Sequence, residues 1–175
     1  MYLISIYFDE KTNKELQRLI NYVAEKTGNT FMLDNHVPPH ITVAAMETRS
    51  EVQLIEAMEA CVKMLKQGTI RWVSVGTFFP QVLYVQPVLN EYLHELSVQL
   101  HETVKIVPET KISAYYAPFG WLAHATIAKQ LTKEQMKEAF EVMQNQFVPF
   151  EGKVVSIGIA KPNPHRDLAL WNLSD

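Results

Sequence analysis

His40-Ile41-Thr42-Val43-Ala44 and His124-Ala125-Thr126-Ile127-Ala128 are two copies of one short pattern, a histidine two places before a threonine in a β-rich run. Successive residues of a strand point to opposite faces. The pattern therefore predicts His40, Thr42 and Ala44 on one face, with Ile41, Val43 and Ala45 on the other. In the second copy His124, Thr126 and Ala128 share a face, with Ala125 and Ile127 opposite. The aliphatic face suits packing against helices. The other face presents an imidazole beside a hydroxyl, twice.

The surroundings of the two copies also match. Apolar residues recur at helical spacing over 11–27 (Leu16, Leu19, Ile20, Val23) and over 50–66 (Leu54, Met58, Cys61, Leu65). They recur again over 89–105 (Leu89, Leu93, Leu96, Leu100, Val104) and over 132–147 (Met136, Phe140, Met143, Phe147). Strands are expected at 2–8, 40–45, 70–78, 82–87, 122–129, 153–160 and 167–173. Each half then reads strand, helix, His-x-Thr strand, helix, strand. His40 precedes Ser74 by 34 positions and His124 precedes Ser156 by 32, which points to a pseudo-twofold duplication in an α/β or α+β chain. Pro38-Pro39 and the segment 115–120 are expected to be loops entering the histidine strands, and 162–166 a turn between the last two strands.

The length of 175 residues suits one domain over 1–175, with an internal repeat of about 1–80 and 81–175 and no Gly/Ser linker between. The chain is 47% hydrophobic and 20% charged, an ordinary globular mixture. No apolar run approaches the ~20 residues that span a bilayer, so no membrane association is expected. One cysteine, Cys61, leaves no internal disulfide or thiolate cluster; with a start that lacks the marks of a signal peptide, it predicts a cytoplasmic protein. Sixteen basic against nineteen acidic residues give a net charge of -3, which does not advertise a long duplex nucleic acid as partner. A monomer acting on a small anion or an RNA end is expected.

Two imidazole–hydroxyl pairs fit one chemistry. In-line displacement at a phosphodiester needs a base on the attacking oxygen and an acid on the leaving oxygen. Histidine serves in both states near neutral pH, and threonine hydroxyls can donate to the oxygens that gather charge. The pattern alone is weak: the six histidines and eleven threonines predict about 0.4 His-x-Thr matches by chance, and three occur. The third, His101-Glu102-Thr103, falls on a helix, where residues two apart diverge by about 200°. The other two lie on strands at equivalent places of the repeat.

Pro39-His40-Ile41-Thr42-Val43 and His124-Ala125-Thr126-Ile127 resemble the paired signatures of the 2H phosphoesterase superfamily, which includes 2'-5' RNA ligase-like proteins and 2',3'-cyclic nucleotide phosphodiesterases. The resemblance covers nearly the whole chain. It implies a bilobal α+β fold, each lobe a small antiparallel sheet backed by helices, with the active-site groove between them and strand exchange allowed. It implies catalytic roles for His40, Thr42, His124 and Thr126. The family often places a basic residue shortly after a motif, and Lys129 stands there, although strand parity puts it on the face opposite His124.

Tyr115, Tyr116, Phe119 and Trp121 precede the second pair. They suit stacking of a nucleobase beside a phosphate and equally suit tucking a loop onto the core. Arg166 and His165, with Lys111 and Arg49, are candidate phosphate contacts. His36 and His40 have the spacing of a helical metal pair, but Pro38-Pro39 forbids a helix and no acidic residue joins His124 at ligand spacing, so neither metal nor cofactor is expected. Met32, Met46, Met58, Met64, Met136 and Met143 read as core filling. The expected function is metal-independent hydrolysis of a 2',3'-cyclic phosphate on a nucleotide, RNA end or related small molecule. The alternatives are formation or cleavage of 2'-5' RNA linkages, and a non-catalytic nucleotide- or RNA-binding module.

Overall fold

A computed structural model describes residues 1–162 and 165–175; Asn163 and Pro164, within the turn expected at 162–166, lie outside the described residues. The chain runs β1 (Tyr2–Phe8), α1 (Glu10–Thr27), α2 (Phe31–Asp34), β2 (Ile41–Glu47), α3 (Glu51–Val62), β3 (Gly68–Phe78) and β4 (Val82–Pro87). It continues with α4 (Glu91–Lys105), β5 (Lys111–Ile112), a 3-10 turn (Ala114–Tyr116), β6 (Ala125–Ala128), α5 (Lys133–Gln146), β7 (Phe150–Lys161) and β8 (Arg166–Asn172). The four expected helices form, and three of them start on a clear local signal. Asp9 caps α1 through the amide of Thr12, Asn90 caps α4 through Leu93, and Thr132 with Gln135 forms a reciprocal capping box on α5. Gly28 ends α1 in the left-handed conformation, at φ 67°, where a side chain would be strained.

The class is α+β. The strands form one connected antiparallel sheet of order β5-β2-β1-β7-β3-β4-β6, with β8 also on β7. The twelve-residue β7 carries the join. Its first part, Phe150 to Val154, pairs with β3, and its last part, from Ser156 on, pairs with β8. β1 runs along the other edge of β7, paired with it from Val154 to Ala160. The helices cross between the sequence halves: α1 packs on α5 and β6, and α4 packs on α3 and β2. Strand pairing and helix packing therefore both cross the midpoint of the sequence, β1 lying on β7 and α1 on α5.

One face of the sheet is covered by helices and holds Ile4, Ile6, Ile157 and Ile159, all fully buried. Several apolar positions behave differently from the periodic reading. Phe147 stands after the end of α5, Leu89 precedes α4, and Phe140 and Met64 are exposed because their helix turns face solvent or have already ended.

Candidate active site

Both histidine strands carry a β-bulge at the same place, and this sets which side chains meet. On β1 and β2, Ser5 pairs with Thr42 while the preceding Ile4 pairs with Ala44, so Val43 is an extra residue. On β4 and β6, Tyr84 pairs with Thr126 while Leu83 pairs with Ala128, so Ile127 is extra. Ile4 and Ser5 point to opposite faces, and so therefore do Ala44 and Thr42. The expected sharing of a face by Ala44 with Thr42, and by Ala128 with Thr126, is corrected by these bulges. The same correction turns Lys129 back to the face of Thr126 and His124. Its counterpart in the first copy is the buried Ala45.

His40 and His124 each sit one residue before their strand and are held alike. Nδ1 of His40 lies 2.8 Å from the carbonyl oxygen of Pro38, and Nδ1 of His124 lies 2.8 Å from that of Leu122. A carbonyl only accepts, so each Nδ1 carries the hydrogen and donates it. Nε2 of each ring is left to exchange a proton with a ligand. Burial pushes the pKa of both imidazoles below the ordinary value. For His40 the nearby His165 and His124 push the same way, against the Pro38 carbonyl and Asp167. For His124 only the Leu122 carbonyl opposes the burial.

These four motif residues line one cleft of about 600 Å³, within the usual range for small-molecule sites. The threonines differ in setting. Thr42 is buried with its hydroxyl 3.4 Å from that of Ser5, whereas Thr126 is half-buried. His124 packs against aromatic rings: that of Phe78, which lines the cleft, meets it edge-on at 4.8 Å, and that of the buried Tyr84 lies 5.2 Å away. The rings nearest His40 are instead those of Tyr7 at 6.3 Å and His165, which lines the cleft, at 6.4 Å between centroids.

The remaining expected site residues divide. Tyr115, Tyr116, Trp121 and Lys129 line the cleft. Tyr115 stands 85% exposed at its mouth, while Trp121 is buried. Phe119 does not line it: its ring is 86% exposed and lies 4.4 Å from the His94 ring on α4. Arg166 does not line it either; it starts the exposed part of β8, and its neighbour His165 takes the place at the cleft. Lys111 and Arg49 are absent from its lining too, Lys111 standing exposed on β5.

Phe31 and Phe78 also line the cleft, and sequence reasoning missed both. Phe31 belongs to α2, a single turn too short to show a period, and the Lys129 ammonium lies 5.8 Å from its ring. Phe78 ends β3, and nothing in strand alternation marks its partner as a histidine 46 residues on. Among the described residues no group of three or more His, Cys, Asp or Glu is arranged to hold a metal ion. No helix among them is long and apolar enough to cross a membrane.

The model of one protein family, the 2'-5' RNA ligase superfamily, matches residues 10–166 and so spans both His-x-Thr strands. No curated protein sequence matches the chain. Among solved structures, one described as a phosphoesterase is 13% identical with a TM-score of 0.65, over 99% of this chain and 98% of its own. LigT from E. coli, complexed with 3'-AMP, is 12% identical with a TM-score of 0.63, over 99% and 98%. TT0787 of Thermus thermophilus is 16% identical with a TM-score of 0.63, over 98% and 97%. At these identities the likeness is one of fold.

Proposed function

The chain belongs to the 2'-5' RNA ligase superfamily, and from that premise we propose that it is a phosphodiesterase that hydrolyses a 2',3'-cyclic phosphate on a nucleotide or RNA end. The observation that carries this reading is the identical tethering of His40 and His124 through Nδ1 in one cleft, which leaves two Nε2 atoms for acid and base work.

In the proposed reaction a water oxygen attacks phosphorus in line with the departing ribose oxygen. One histidine, neutral, takes the water proton on Nε2. The other, protonated, gives its Nε2 proton to the leaving 2' or 3' oxygen. A phosphorus–oxygen bond forms, another breaks, and the product is a phosphomonoester. The two histidines end with their protonation states exchanged and are reset by solvent. The hydroxyls of Thr42 and Thr126 donate to the non-bridging oxygens as charge builds on them, and the Lys129 ammonium adds positive charge to the cleft. The aromatic wall of Phe78 and Tyr115 offers flat surfaces to a base. Support for a nucleotide comes also from LigT, whose crystal structures hold 3'-AMP and phosphate. In this reading 1–175 is one domain, its two similarly bulged strands being the two copies of the repeat.

The test is turnover of the four 2',3'-cyclic mononucleotides and of RNA ends carrying the cyclic phosphate, with 2'-5' ligation of RNA halves as a parallel arm. Hydrolysis by the wild type, lost in both His40→Ala and His124→Ala with thermal unfolding unchanged, is the expected result. Near-wild-type hydrolysis in either folded variant would remove the assignment, and ligation without hydrolysis would replace the function.

A further inference from the structure

The cleft holds a third histidine. His165, just ahead of β8, lines it with its ring 6.4 Å from that of His40. Its Nε2 lies 3.0 Å from Oδ1 of Asp167 on β8. The same carboxylate oxygen is 3.5 Å from the Tyr7 hydroxyl on β1. Burial, then the Asp167 carboxylate, pushes the Tyr7 pKa up, so the phenol keeps its proton and donates. Tyr7, Asp167 and His165 thus form a chain of polar contacts that ends in the cleft beside His40.

The contacts decide what His165 has to offer. A carboxylate only accepts, so Nε2 of His165 carries a hydrogen and donates it. The remaining Nδ1 is an acceptor in the neutral ring and a second donor in the imidazolium. The titratable groups around it are Asp167 from β8, Tyr7 from β1 and His40 ahead of β2. The ring neighbours of His124 are instead Phe78 and Tyr84. Lys129 lines the cleft as well, its ammonium 5.8 Å from the Phe31 ring. Beside His40 the cleft thus carries an imidazole held on a carboxylate, which His124 lacks.

We infer that His165, positioned by Asp167, is a phosphate-binding residue of this cleft that donates through Nδ1 to the anion on the His40 side. This rests on the cleft being the phosphodiesterase site proposed above. It puts a contact to the anion outside both His-x-Thr pairs. It also gives a reason for an imidazole anchored on a carboxylate at this place, next to the exposed Arg166.

Binding of inorganic phosphate to the whole chain, measured by calorimetry at pH 6, tests this. His165→Gln should weaken binding on the order of ten- to a hundred-fold, the usual worth of a charge-assisted hydrogen bond. His165→Lys, which keeps a cationic donor at this place, should bind about as tightly as wild type. With a cyclic phosphodiester as substrate, His165→Gln should raise KM more than it lowers kcat. Equal phosphate affinity of wild type and His165→Gln would overturn the inference, as would a wild type that binds no phosphate. Turnover by a wild type whose phosphate affinity ignores His165 defeats this inference alone. Phosphate binding that depends on His165, in a protein that turns over no cyclic phosphodiester, defeats only the proposed reaction.

Discussion

The indole N–H of Trp121 donates to the backbone carbonyl of Thr42 at 3.0 Å, joining the segment that delivers the second histidine to the strand that bears the first. β5 pairs with β2 only at Met46 and Glu47, so Thr42 lies beyond the reach of that ladder. The indole serves its carbonyl instead. Trp121 is buried, and its role in the cleft is to fix the spacing of the two motifs as well as to form wall.

Trp121→Phe keeps most of the apolar volume and removes the donor. It leaves a buried carbonyl unpaired, at a cost of about 1–3 kcal/mol, and for a chain of this size each kcal/mol lowers Tm by about 2–4 °C. Because both strands shift relative to each other, kcat should fall as well. An unchanged Tm and kcat in calorimetry and steady-state assays would show that the bond holds nothing.

Lys129 reaches the site face only because Ile127 is bulged out of the β4–β6 ladder. Lys129→Gln should raise KM for a cyclic phosphodiester by about tenfold, the scale of one charge-assisted contact, with the larger loss at low salt, where screening is weaker. Lys129→Arg should recover part of the loss. Ala45, the matching position of the first copy, is 3% exposed; Ala45→Lys should destabilise the fold by burying a charge and not create a second site. A Lys129→Gln enzyme with wild-type KM at every salt concentration would remove Lys129 from the phosphate.

What is legible in the sequence and what is not follows from the range of each signal. His40 and His124, with their threonines, stand where alternation and the repeat put them, because both signals extend over whole elements. Alternation misplaces Lys129, because one extra residue in a ladder inverts every side chain after it and no composition marks Val43 or Ile127 as the extra one. α2 and β5, with four and two residues, are shorter than any period that could announce them. The division of β7 among β1, β3 and β8 depends on pairings distant in sequence. Phe119, apolar yet left on the surface against His94, shows how little an aromatic run says of its own direction.

Turnover should persist in excess chelator. The proposed acid, base and anion donors are side chains of His40, His124, Thr42, Thr126 and Lys129, so no step is assigned to a divalent ion. Loss of hydrolysis on adding chelator, restored by a divalent cation, would reject the two-histidine mechanism.

The pH dependence is set by the same two imidazoles. The productive state has one proton on the pair; acid adds a second proton and base removes the last, so the rate should be bell-shaped, with limbs that belong to the coupled pair. Burial lowers the pKa of both His40 and His124, and His165 lowers that of His40 further. A lowered pKa means each proton is lost at lower pH, so the singly protonated pair of the free enzyme is most populated below the ordinary histidine value of about 6.5. The kcat/KM bell, which reports the free enzyme, should therefore centre on the acid side of that value. A bound phosphodiester anion favours imidazolium, so the kcat bell should lie at higher pH than the kcat/KM bell. A substrate whose leaving oxygen needs no proton should rescue only the variant that lacks the acid; comparing it in His40→Ala and His124→Ala names the acid and, by difference, the base. A kcat/KM profile that is flat from about pH 5 to 9 with chemistry rate-limiting, or one whose optimum lies above that of kcat, would contradict the lowered values and the mechanism built on them.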